Sequence, residues 1–104
     1  IAISNSGETK EILNLIPSLK KMGVKLISIT GDLDSTLAQH SDVALNIGKQ
    51  REVDPLGFAP TTSTTVSLAL GDALAVILSS LKKFTKERFG TFHPGGALGE
   101  KIQK

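Results

Sequence analysis

The sequence predicts an α/β fold in which short parallel strands alternate with helices that lie on the sheet faces. Three observations carry this reading. Short β-branched runs, IAIS at 1–4, KLISIT at 25–30 and VALNI at 43–47, are separated by segments whose apolar residues fall at helical spacing. The first two runs end in strand-breaking residues, Asn5 to Gly7 and Gly31-Asp32. The chain of 104 residues, 39% of them apolar, is enough for one small globular domain.

Ile1 to Ser4 reads as a short buried strand. From Thr9 to Met22, the residues Ile12, Leu13, Leu15, Ile16 and Leu19 fall on one helical face, and Gly23 supplies a C-terminal cap. Lys25 to Thr30 is a strand. Asp34 to His40 suits a short helix with Asp34 as N-cap, and Val43 to Ile47 is a third strand. Gly48 to Thr62 has no period and carries Pro55, Gly57 and Pro60. A loop of about fifteen residues is uncommon in a compact domain and more often functional than accidental. Ser63 to Lys82 is a long helix, apolar on nearly every side, which calls for cover by the sheet and by a partner chain. Thr85 to Gly90 is a short turn or helix, His93-Pro-Gly-Gly a break, and a last helix starts near Ala97.

Residue 1 is Ile, the chain starts inside a strand and stops inside a helical run, and three strands make a thin sheet that needs neighbours on both edges. These features predict a piece of a longer protein that lacks an N-terminal β-α-β half.

Composition removes several function classes. There is no cysteine, so no disulfide framework and no Cys-based metal site. Without Trp or Tyr, and with four Phe, the chain offers no stacking platform for single-stranded nucleic acid. The net charge of +2 is small. The pairs Lys20-Lys21 and Lys82-Lys83 sit at helix ends, where they complement the dipole. Ser67, Gly71, Asp72, Ser79 and Ser80 interrupt Val66–Leu81, which reads as excluding an ordinary membrane span. No signal peptide is visible, and a cytoplasmic location fits.

The residues Ser4, Asn5, Ser6, Gly7, Glu8 and Thr9 stand where the first strand hands over to a helix. Ligands of parallel α/β sheets bind beyond the carboxyl ends of strands. A helix start adds free N–H groups and the positive end of a dipole. Hydroxyls of Ser4, Ser6 and Thr9, with Gly7 permitting close approach, describe a phosphate cradle. An ordinary N-cap by Ser6 is the competing account. Thr61-Thr62-Ser63-Thr64-Thr65 forms a second hydroxyl cluster at a helix start, again open to a capping explanation. The candidate acid–base groups are Glu8, Glu11, Glu52, Asp54 and His93. Glu8 and Glu11 lie in a first helical turn, where a carboxylate favours the dipole regardless of function. His40 at a helix end reads as structural.

The stretches SNSGETKEI, PLGFAPTTSTT, GDALAV and HPGGALG, in this order, resemble the sugar isomerase (SIS) domain, and within it the arabinose 5-phosphate isomerases of KpsF/GutQ type. The likeness covers nearly the whole chain and implies a three-layer α/β/α sandwich around a parallel sheet. It implies interconversion of D-arabinose 5-phosphate and D-ribulose 5-phosphate through an enediol, feeding 3-deoxy-D-manno-octulosonate (KDO) and lipopolysaccharide synthesis. It assigns Ser4, Ser6 and Thr9 to phosphate, with Asn5, Gly7, Thr61, Thr62 and Ser63 completing the substrate set. Its catalytic glutamates fall on Glu11 and Glu52 and its histidine on His93. Glu52 is then the base, His93 the oxygen-proton shuttle and Glu11 an orienting group, with the two glutamate roles open to exchange. The family's lysine belongs to a Gly-Ser-Gly-Lys-Ser-Gly-type stretch, and none is present here; nor are the paired CBS domains that often follow. The resemblance further implies a homotetramer in which His93 reaches a neighbour's site. No cofactor and no metal is required, though His93 could join an inhibitory zinc site. The rival reading is the non-catalytic phosphosugar sensor of a regulator. A nucleotide-binding module is disfavoured by the lack of a GxGxxG or P-loop pattern.

Overall fold

The computed structural model describes residues 1–103. The chain divides into two compact units, Ile1–Leu70 and the residues from Gly71 onward. The first unit holds β1 (Ala2–Ile3), α1 (Lys10–Leu13), α2 (Ile16–Lys21), β2 (Ile27–Thr30), α3 (Thr36–Gln39) and β3 (Val43–Asn46). A long helix, α4 (Thr62–Leu81), begins in the first unit and runs into the second, which continues with α5 (Lys86–Phe92) and α6 (Gly96–Gln103).

The sheet is parallel, in the order β1-β2-β3, with Ser28 opposite both Ala2 and Ala44 and Ile29 opposite both Ile3 and Leu45. Small residues beside Ser28 let the helices approach that face. There Ile16, Leu26 and Leu37 form the core, with Ala2, Ile12, Leu13 and Leu19 packed against it. Of the three strands β2 is the most buried, from Ser28 to Thr30, with Ile27 half-buried; Ser28 and Thr30 are fully enclosed. Ile1 and Ile3 on β1's side and Val43 on β3 are exposed. The first strand, expected to be buried, is an edge strand here with Ala2 half-buried and Ile3 exposed; side chains stand out from the faces of a sheet, and the described residues leave the Ile3 face of β1 uncovered.

The single helix expected over Thr9–Met22 is broken into α1 and α2. Pro17 sits in the first turn of α2. It has no N–H to give the Leu13 carbonyl, and its ring crowds that carbonyl, so the first helix stops at Leu13. The N-cap of α3 is Ser35, not Asp34: the Ser35 Oγ accepts from Ala38 N at 3.4 Å. Asp34 lies one residue too early, its own N–H donating to Asp32 Oδ1 at 3.0 Å in a local turn. Thr85 caps α5 through Arg88 N.

Helix α4 begins one residue before the position the sequence suggested, and Ser63 is its only buried residue. Leu68, Val76, Ile77 and Leu81 are exposed, so the cover expected from sheet and partner is not present among the described residues. By length and composition α4 is also able to cross a membrane, with a mean hydropathy of 1.6. The interruptions in Val66–Leu81 therefore do not exclude a span: one Asp and a few small hydroxyls dilute the apolar window too little.

Candidate functional site

At the carboxyl end of β1 the chain turns sharply. Gly7 N donates to the carbonyl of Ser4 at 3.1 Å and to its Oγ at 3.0 Å, while Ser4 Oγ and Thr9 Oγ1 lie 2.8 Å apart. Gly7 has a φ of +68°, and an added Cβ there would lie 2.0 Å from Ser35 Oγ. Both the left-handed conformation and the contact demand glycine. Ser6 does not cap a helix; its Oγ accepts from Glu8 N at 3.1 Å. The N-cap of α1 is Thr9, which makes no capping bond with its side chain, so its hydroxyl does not occupy the N–H groups of that first turn.

The second half of the site is built around Glu52, a loop carboxylate that is buried. Its Oε2 accepts from the Thr61 backbone N–H and from Thr61 Oγ1, the latter at 3.1 Å; its Oε1 accepts from Ser63 N at 3.0 Å. Glu52 thus satisfies donors at the start of α4 from nine and eleven residues away. The Thr61 N–H foremost, then the hydrogen bonds from Ser63 and the Thr61 hydroxyl, hold its carboxyl below the ordinary glutamate value, against the opposing effect of burial. Asp54 clips the intervening loop, accepting from Leu56 N at 3.1 Å and Ala59 N at 3.0 Å. Unlike Glu52, Asp54 does not line the cavity shared with Ser4 and Ser63, and its hydrogen bonds hold the loop.

Ser4, Asn5, Glu52, Phe58, Ser63 and Thr64 line one cavity of about 410 Å³. The strand-end loop and the start of α4, distant in sequence, therefore share a concave surface that holds a carboxylate. A larger concavity of about 570 Å³ runs beside β1, α1 and α2. Its walls are aliphatic apart from Lys25, so it offers nothing for chemistry on a polyol.

The other predicted residues are placed as follows. Thr61 and Thr62 line a separate concavity with Val53 and Val66. The Thr64 and Thr65 hydroxyls donate to the Thr61 carbonyl at 2.8 and 3.0 Å, and so bond within their own helix start. Glu11 is exposed in the first turn of α1 and does not line the Glu52 cavity. His93 belongs to the second unit, at the C-cap of α5, its ring stacked on Phe89 with centroids 4.3 Å apart. Among the described residues no cluster of His, Asp or Glu could hold a metal, so a zinc at His93 would need further ligands from outside them. His40 donates through Nδ1 to the Thr36 carbonyl at 2.8 Å, a structural role. Two features were missed from sequence. Phe58 lines the cavity, and Glu8 accepts from Thr36 N at 2.6 Å. The Gly-Phe-Ala-Pro stretch gave a signal for the first; the second pairs residues 28 apart and gave none.

Comparison with known proteins gives this geometry a context. The SIS domain model matches residues 1–77, which includes most of α4. Arabinose 5-phosphate isomerase KdsD of Escherichia coli K12 is 55% identical over 102 residues, covering 98% of this chain and 31% of that protein. The KdsD of Yersinia pestis is 52% identical over the same length, with the same coverage. A solved structure from E. coli CFT073, in complex with arabinose 5-phosphate, superposes with a TM-score of 0.84 at 55% identity, covering 88% of this chain and 49% of that one. The chain spans about a third of the length of the curated relatives it matches. A parallel sheet with flanking helices, a hydroxyl-rich turn after its first strand and this extent of likeness lead to one conclusion: the chain belongs to the SIS domain family.

Proposed function

We propose that the chain is part of the SIS domain of an arabinose 5-phosphate isomerase, with residues 1–104 forming one partial domain. The observation that carries this reading is the shared cavity of Ser4, Asn5, Ser63 and Glu52. It sets neutral hydroxyl and amide donors beside an ionised carboxylate, the combination a phosphorylated polyol needs. Ser4, Ser6 and Thr9, with Asn5 and Gly7, hold the phosphate; Ser63 bounds the substrate on the α4 side, and Thr61, beside Thr62 in the neighbouring concavity, acts there through its hydrogen bonds to Glu52.

In the aldose-to-ketose direction a carboxylate takes the proton from C2. The electrons of that C–H bond form the C1=C2 double bond, and the carbonyl electrons move to O1. A proton reaches O1 while O2 gives up its own, and the carboxylate returns its proton to C1. Glu52 is the base, because position is the first requirement of a general base and Glu52 lines the cavity where Glu11 does not. Its lowered pKa keeps it ionised and able to accept, at some loss of base strength. His93 moves the proton between the oxygens. The protein works in the cytoplasm as a homotetramer, free of membrane and nucleic acid, and supplies KDO synthesis. The exposed apolar side of α4 supports a subunit contact.

The test is direct. The full-length protein, incubated with ribulose 5-phosphate, accumulates the aldose, and Glu52→Gln and His93→Asn each lower kcat by about a hundredfold or more, the scale of a lost acid–base group. Unchanged turnover in both variants removes the role assignment. Tight phosphosugar binding with no turnover in the parent supports the second reading, a sensor. One observation favours that reading: Glu52 already has a structural task at the start of α4, which a non-catalytic site would also need.

A further inference from the structure

We propose that Glu8 is a positioning residue that latches the substrate loop onto the start of α3. The first N–H groups of α3 are all engaged. Thr36 N donates to Glu8 Oε1 at 2.6 Å, Leu37 N to the Gly7 carbonyl at 3.0 Å and Ala38 N to Ser35 Oγ at 3.4 Å. Two of these acceptors come from the strand-end loop. That loop therefore caps a helix 28 residues further on, and α3 in turn fixes the loop. The same segment presses on the loop from below: Gly31 N donates to the Asn5 carbonyl at 2.9 Å, and Ser35 Oγ fills the space a Gly7 side chain would need.

Backbone hydrogen bonds alone leave the loop's outer half, from Ser6 to Thr9, tied at Gly7. The Glu8 carboxylate adds a charge-assisted bond, roughly twice as strong as a neutral one, at the point where the loop leaves for α1. With the latch in place, Ser4 Oγ stays against Thr9 Oγ1 and Ser6 Oγ against Glu8 N. Glu8 acts through this geometry and takes no part in proton transfer. The inference rests on the proposal that this loop holds the phosphosugar.

The experiment uses the full-length protein with arabinose 5-phosphate as substrate, and amide exchange at Gly7 and Thr36 as a second readout. Glu8→Ala raises KM about tenfold, the scale of a lost capping acceptor, while kcat stays within about twofold. It also quickens exchange at both amides. Glu8→Gln keeps an oxygen for the Thr36 N–H without the charge, so it retains kcat and restores KM and protection to values between those of Glu8→Ala and the parent. Thr36→Pro removes the donor without touching Glu8. Proline suits a first helical position, and Ser35, at φ −66° and ψ 156°, already has the extended backbone that precedes proline. This variant reproduces the KM of Glu8→Ala. Unchanged exchange in Glu8→Ala overturns the latch. Faster exchange with KM unchanged instead overturns the substrate role of the loop, and a loss of kcat in Glu8→Gln makes Glu8 an acid–base group.

Discussion

Gly7 is the residue on which the strand-end loop turns. At φ +68° a side chain meets an unfavourable backbone conformation, and at 2.0 Å its Cβ overlaps Ser35 Oγ. Gly7→Ala should destabilise the protein by about 2–4 kcal/mol, combining a left-handed non-glycine residue with overpacking. Thermal unfolding measures the loss, and under the proposed function the KM of the full-length protein for arabinose 5-phosphate should rise with it. A variant as stable as the parent would mean that the loop moves aside at little cost. The sequence marked Gly7 as permissive but gave no hint of Ser35, which approaches it only through the fold.

At the scale of elements, short helices depend on their ends. α3 spans four residues, too few to be stable alone, and exists because Ser35, Gly7 and Glu8 supply its acceptors. Ser35→Ala should cost about 1 kcal/mol, whereas Asp34→Ala, outside the helix, should change stability by less than about 0.5 kcal/mol. Chemical denaturation of the two variants separates the capping assignments, and equal losses would return Asp34 to the cap. Pro17 shows the complementary effect. Apolar spacing from Ile12 to Leu19 reads as one helix, yet a missing N–H and a crowded carbonyl divide it. The proline was visible in the sequence; its position at a helix start rather than in a bend was not.

For the whole molecule, stability against acid rests on a few carboxylates that accept backbone N–H groups. Leu26 N donates to Asp42 Oδ2 at 2.8 Å, and with Lys25 this holds Asp42 below its ordinary value. Asp34 N and Lys49 do the same for Asp32. Thr61 and Ser63 do so for Glu52. A carboxyl whose folded pKa is depressed contributes fully above its unfolded value and loses that contribution as pH falls through the folded one. The unfolding midpoint should therefore be flat from neutral pH down to the ordinary carboxylate values, 4.5 for Glu and 3.8 for Asp, and fall below them. Thermal scans between neutral pH and about pH 3 measure it, with Asp42→Asn expected to be less stable at neutral pH and less sensitive to acid. A midpoint that rises on acidification would reverse the sign and the argument.

The sequence by itself determined the alternation of three strands with helices, the parallel sheet, the long apolar helix and the hydroxyl-rich turns, because periodicity and turn chemistry are local properties. It also carried the family resemblance, since SNSGET, PTTST and HPGGALG are contiguous motifs. Only the tertiary structure decided that Glu52 closes the start of α4, that Ser4 and Ser63 face one cavity, and that Glu8 reaches the N–H of Thr36. These pairings join residues far apart along the chain, and hydrogen bonds between them depend on how the strands and helices pack.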